Sequence, residues 1–318
     1  MKRTVLALWK PAIRAYLGEA SAFSVLGERA TAQGWLYDKY ISLTYEKAEN
    51  RLMYEDSKDS EFGPDDRVFI KSYTMLPPQL CKYHFLIDFI MESIDGGEYV
   101  ITYWNEIIVR NYLTGQTFQK EHYHICFIYG YDAQEEYFLV QGYLLGGNLG
   151  SYQIPFDVLW RAVSFYWKKC AIQVSSYEIR MDISLEFQYK LLLERLQTYC
   201  NGKIVWEMEK FWRQCERRGK LHLPSLYCIF ERNQLMLQRI SFLEQKAVLS
   251  KGTGLWEEQR RIVRRCHENL LLGIRQEQFP DQRLLKIVTN GGRRIAVEEN
   301  KLTMWLLETL RPEGQGKL

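Results

Sequence analysis

Apolar residues recur at helical spacing over residues 17–33, where Phe23, Leu26 and Ala30 share a face. The same period returns over 77–95, a stretch that opens on Pro77 and Pro78, carries Leu80, Tyr83, Phe85, Ile87, Ile90 and Ile94, and stops at Gly96 and Gly97. Both stretches predict helices. The pattern then changes to dense β-branched and aromatic runs. EYVITYWN at 98–105 reads as a strand covered on both faces, and EIIVRNY at 106–112 continues it. HICFIYGYD and EYFLVQGYL follow, parted by Asp132, Ala133 and Gln134, so this region predicts an antiparallel meander. LGGNLGSY reads as a glycine-rich connector, a helix begins near Phe156, and residues 169–182 read as a closing strand.

Beyond Asp182 the period is helical throughout. Leu185, Tyr189, Leu192, Leu196 and Tyr199 form one face. From Pro224 a second stripe runs through Leu226, Ile229, Asn233, Met236, Ile240, Leu243 and Ala247, with Asn233 its one polar member. Trp256, Val263, Cys266 and Leu270 mark a third helix over 256–274, and 296–310 a last one. The expected architecture is an α+β domain at 1–182 followed by an all-helical domain at 183–318.

Composition narrows the function classes. Forty-two Lys and Arg against 39 Asp and Glu leave a net charge of +3, without a long block of either sign, so nothing calls for nucleic acid as a partner. The start MKRTVLALWK has too short an apolar run for a secretory signal and reads as cytosolic. Charged residues interrupt every hydrophobic stretch before the roughly 20 residues that span a bilayer, which excludes a membrane role. The seven cysteines are scattered, without the paired spacing of a zinc site or a redox dithiol.

Few residues offer chemistry. His124 opens a β-run, and an imidazole there can serve as a general base if a nucleophile lies within hydrogen-bond reach; more often such a histidine is structural. His122 and His124, with Glu121, suggest metal ligands but lack a third partner at metal-site spacing, so no metal or cofactor is expected. Gly146, Gly147 and Gly150 lack the ending of a phosphate loop. Arg260, Arg261, Arg264 and Arg265 lie on one predicted helix beside Glu257 and Glu258, which suits plain solvation with i to i+4 pairing or, alternatively, the approach of an acidic partner.

The succession of helix, glycine-ended helix, EYVITYWNEIIV and HICFIYGYD resembles the N-terminal domain of the butirosin biosynthesis protein H family, and LPSLYCIFERNQLMLQRISFLE is similar to a helix of uncharacterised bacterial relatives encoded near peptide-synthesis clusters. The resemblance implies a papain-like fold, related in layout to the peptidase domains of bacteriocin exporters. It places the family's nucleophilic cysteine in YLGEAS, where this chain has Gly18, and its base at His124. It places the third member near Gln141 and Gly142, with Asn148 close by. Ser21, one turn beyond Gly18, is the substitute nucleophile to consider. Cys81 and Cys126 read as buried packing thiols. With the cysteine missing, the expected protein is a degenerate accessory factor of a bacterial natural-product pathway that binds an acyl or peptidyl intermediate, a carrier protein or a biosynthetic enzyme. The alternative is an active acyltransferase or amide hydrolase with His124 as base.

Overall fold

The computed structural model describes residues 2–26, 34, 36–57, 69–76, 82–119, 122–145, 149–167, 172–179 and 187–313. In chain order the elements are β1 (Arg3–Val5), α1 (Leu17–Leu26), β2 (Leu43–Glu46), β3 (Arg51–Tyr54), β4 (Phe69–Leu76), α2 (Tyr83–Asp95), β5 (Tyr99–Asn105), α3 (Glu106–Thr114), β6 (Tyr123–Asp132), β7 (Tyr137–Gly142), β8 (Gly150–Pro155), α4 (Phe156–Trp167) and β9 (Ile172–Ile179). Helices α5 (Tyr189–Thr198), α6 (Ile204–Arg218), α7 (Leu223–Gln245), α8 (Leu255–Gln278) and α9 (Gln282–Glu313) follow. Two compact units result. Met1–Pro11, Ala20–Gly27 and Gly63–Ile183 form one, and Ala12–Glu19, Glu28–Phe62 and Ser184–Leu318 the other. The helical unit therefore takes in the β2–β3 hairpin and residues 12–19, which a single cut after residue 182 leaves with the sheet.

The first unit is mixed α and β. Its sheet runs β4-β9-β5-β6-β7-β8, with β1 also paired to β6, and each of these pairs is antiparallel. Side chains alternate between the two faces of a strand, so the register assigns them. Val100, Cys126, Ile128, Phe138, Val140 and Ile154 share one face and meet Leu86, Ile87, Ile90 and Ile94 of α2 and Val158, Leu159, Ala162 and Val163 of α4. The opposite face carries Phe127, paired across the ladder with Gln141, and Gln141 Nε2 donates to Ser24 Oγ of α1 at 3.1 Å. Helix α1 thus packs on the face turned away from α2 and α4.

Two expectations fail here for local reasons. Residues 106–112 are helix α3 and not a continued strand, because the Asn105 side chain accepts from the Ile107 N–H at 3.1 Å and caps a turn that ends at Gly115 in the left-handed region. The connector after β7 is in part strand, since Gly150–Pro155 pairs with β7 residue for residue from Gly142 to Tyr137.

In the helical unit, Tyr189, Leu192, Leu196 and Tyr199 are buried as their spacing predicts; Leu185 lies outside the described residues. The α7 stripe is also buried from Leu226 to Leu243, whereas Ala247 falls beyond the helix end with a positive φ of 55°. On α8 the core face runs instead through Leu255, Gln259, Ile262, Cys266 and Leu270. Helix α9 begins well before residue 296 and runs through Gly291 and Gly292, where the missing Cβ atoms admit neighbours: a Cβ on Gly292 would lie 2.1 Å from Trp212. The hairpin's backbone donors are met by helix side chains, Tyr45 N–H by Glu207 Oε2 and Leu52 N–H by Ser225 Oγ, both at 2.8 Å. Between the helices lies a buried polar network in which Arg232 pairs with Glu299 at 2.7 Å and stacks over Tyr199, Asn233 donates to Glu299, and Gln259 donates to Asn233.

Candidate functional site

The histidine predicted from the sequence sits in a small polar cluster built where β5 passes into α3. The cap at Asn105 sets Glu106 in the first helical turn, and the Glu106 N–H donates to the His122 carbonyl at 2.9 Å, fixing the start of α3 against the start of β6. Glu106 is buried, and its two carboxylate oxygens face two basic side chains: Oε1 lies 3.3 Å from Arg110 Nε and Oε2 3.3 Å from His122 Nδ1. The His122 and His124 rings stack with centroids 5.8 Å apart. His122 is exposed and His124 half-buried. Burial pushes the His124 imidazole below its ordinary value, with His122 adding to the fall and the Glu106 carboxylate and the Ile125 carbonyl opposing it. The 3.1 Å contact of His124 Nδ1 with the Ile125 carbonyl requires the proton on Nδ1 and leaves Nε2 as the acceptor.

The other predicted residues do not join this cluster. His124 pairs with Trp104 and shares the face of Thr102 and Cys126, whereas Gln141 pairs with Phe127 on the opposite face and holds α1 there through Ser24. The helix expected to present a nucleophile therefore lies on one side of the sheet and the imidazole on the other. Ser21 is 1% exposed, and among the described residues its Oγ has no hydrogen-bond partner. Gly18 stands in the first turn of α1, within the part of that helix that belongs to the second unit. Asn148 and Cys81 lie outside the described residues. Cys126 shares the histidine's face, but complete burial raises its thiol well above the ordinary value, so it is not a ready thiolate. Glu106 and Arg110 escaped the sequence reading, although Asn105 ahead of Glu106 is the N-cap signal that marks them. The cluster can orient an imidazole and exchange a proton with a bound group. None of the α1 side chains is placed to complete a nucleophile–base pair with it.

The four arginines lie on the outer surface of α8, each of them exposed. Arg260 stacks 5.4 Å above Trp256, Arg261 pairs with Glu258 at 2.5 Å, and Arg265 pairs with Glu298 of α9. Among the described residues Arg264 enters no ion pair. The face retains net positive charge around Arg260 and Arg264. Among the described residues no group of three or more His, Cys, Asp or Glu side chains could hold a metal ion, and no helix is long and apolar enough to cross a membrane. No protein-family model matches the chain, and a search of curated proteins finds no match.

Proposed function

We propose that this chain is a catalytically degenerate papain-like accessory protein of a bacterial peptide-building pathway, acting in the cytoplasm by binding an acidic acyl or peptidyl carrier protein. One observation carries the non-catalytic reading: His124 and the α1 helix occupy opposite faces of the same sheet. Acyl transfer by a serine or cysteine needs the base within hydrogen-bond reach of the nucleophile, and a sheet lies between the two elements here. Helices packed on both faces of an antiparallel sheet support the papain-like reading at the level of its layers, whereas the placement of His124 away from α1 departs from that layout. The arginine face of α8 supports the partner, since carriers of acyl and peptidyl groups are acidic helical bundles and exposed guanidinium groups steer such partners.

The test is titration of the protein into a fluorescently labelled acyl carrier protein. Saturable binding that weakens with added salt, and weakens about tenfold in the Arg260→Glu, Arg264→Glu double variant, is expected. Binding indifferent to salt and to both substitutions contradicts the reading.

A second reading keeps catalysis, and the cluster of Glu106, His122 and His124 is the observation in its favour. Here the imidazole takes a proton from an acceptor amine as the amine attacks a carrier-bound thioester; the C–N bond forms, the C–S bond breaks, and the carrier thiolate leaves. Loss of acyl transfer in His124→Ala with carrier binding intact is the result that selects this reading over the first.

A further inference from the structure

Helix α9 is covered on one side. Leu285, Val288, Leu302, Leu306 and Leu310 are buried, whereas Ile287, Asn290, Arg294, Val297, Lys301 and Met304 are all exposed. These six recur at steps of three and four residues and form one stripe along the helix. Ile287 is 55% exposed and Val297 and Met304 44% each, so the stripe leaves three large apolar side chains in water. Arg294 and Lys301 stand between them, and neither enters an ion pair among the described residues. On its α8 side the stripe borders a groove of about 510 Å³, to which Leu272, Ile287 and Ile295 contribute apolar lining. The Arg265–Glu298 pair bridges the two helices next to Val297 and so brings Arg264 beside the middle of the stripe. Of the carboxylates that line the groove, Glu298 is held by that pair and Glu268 stands on the α8 wall.

Contiguous apolar surface of this kind marks a place where a partner binds, and the placing of the charges tells which partner. A helix that lies on a membrane keeps its cations on the polar face and turns an apolar face into the lipid. Here Arg294 and Lys301 fall between Ile287 and Val297 around the helix, so lipid covering the apolar residues would cover the cations as well. A second copy would set a stripe with two cations, and no carboxylate from Ile287 to Met304, against its like. An acidic amphipathic helix fits both features. Apolar residues at three- and four-residue spacing meet Ile287, Val297 and Met304, and carboxylates between them meet Arg294 and Lys301. We propose that the α9 stripe and the adjoining groove are the seat of one acidic helix of the carrier protein. This rests on the carrier reading and adds to it apolar contacts that the α8 arginines do not supply.

Titration of labelled acyl carrier protein with the parent and two double variants tests the assignment. All four substituted positions are exposed, so both variants keep the fold, and their circular dichroism spectra should match that of the parent. Arg294→Glu with Lys301→Glu should weaken binding about tenfold and flatten its dependence on salt. Ile287→Ser with Val297→Ser should also weaken it about tenfold but leave the salt dependence unchanged, because the lost contacts carry no charge. Carrier binding that falls in the Arg260→Glu, Arg264→Glu variant and persists in both α9 variants overturns the seat and leaves the carrier reading standing. No saturable binding of the carrier by the parent overturns both. Pelleting with phosphatidylglycerol vesicles, or a dimer in the analytical ultracentrifuge, that Ile287→Ser with Val297→Ser abolishes while carrier binding is unaffected overturns the seat in favour of a lipid surface or a second copy.

Discussion

A half-buried histidine and a buried glutamate give the helical unit opposing responses to pH. His222 Nδ1 lies 2.8 Å from Ser225 Oγ, within hydrogen-bond reach, and burial, with Arg51 and Lys220 adding positive charge nearby, pushes its imidazole from 6.5 down to about 4. Glu231 accepts the backbone N–H groups of Arg14 and Ala15, each at 2.8 Å, yet burial outweighs them and raises its carboxyl from 4.5 to about 7. Between about 4 and 6.5 the unfolded chain takes up a proton at His222 that the native imidazole refuses, so His222 makes stability rise with pH over that window. Between 4.5 and about 7 the native carboxyl of Glu231 keeps a proton that the unfolded one sheds, so Glu231 makes stability fall with pH. The two slopes oppose each other where the windows overlap. His222→Asn should therefore tilt the profile toward greater stability at low pH, and Glu231→Gln toward greater stability near neutrality, as read from urea midpoints across the range. Parallel profiles for the two variants contradict the opposing assignment.

The Arg232–Glu299 pair makes a different prediction at the same scale. Both side chains are 1% exposed, and Asn233 and Tyr199 complete the hydrogen bonding of Glu299. Removing one partner leaves the other charge buried and uncompensated, so Arg232→Met or Glu299→Gln alone should cost roughly 3–5 kcal/mol. Replacing both by apolar residues of similar volume should cost much less, because no charge is then stranded. Denaturant melts of the two single variants and the double variant measure this. Additive losses in the double variant count against a coupled pair.

At the scale of elements, the hydrophobic period located most helices of the second unit, since Tyr189 to Tyr199 and Leu226 to Leu243 are buried as spaced. It failed where a single polar or small residue outweighs the period. Asn105 turns a β-rich run into helix α3, and the run Glu106–Thr114 looks strand-like only because Ile107, Ile108 and Val109 are β-branched. Asn105→Ala should lower stability by about 0.5–2 kcal/mol through loss of the cap, and it should also disturb the His122 ring that Glu106 anchors, a change visible in the chemical shifts of that ring by NMR. Gly291 and Gly292 lie inside α9 because Asn269 and Trp212 occupy the space their side chains would fill, a contact no local pattern announces. Gly292→Ala should accordingly destabilise the helical unit, by overpacking worth about 1–3 kcal/mol, where the same change at an exposed helical glycine stabilises.

At the scale of the molecule, the mixed sheet unit and the helical unit were legible, but their membership was not. The β2–β3 hairpin joins the helices through side chains far along the chain, such as Glu207 and Ser225, and composition carries no sign of such pairings. The candidate site divides in the same way. His124 could be singled out from its place at the head of a strand, whereas the face it occupies follows from the register of β6 on β5 and β7, which only the assembled sheet supplies. That register is the heart of the functional argument. The most direct measurement is to incubate the protein with an acyl-loaded carrier thioester and follow the carrier and the protein by intact mass spectrometry, beside His124→Ala and Ser21→Ala. The account predicts a bound but intact thioester, no acyl adduct on the protein, and no difference among the three chains. An acyl adduct on the protein, or thioester loss that disappears in His124→Ala, contradicts it.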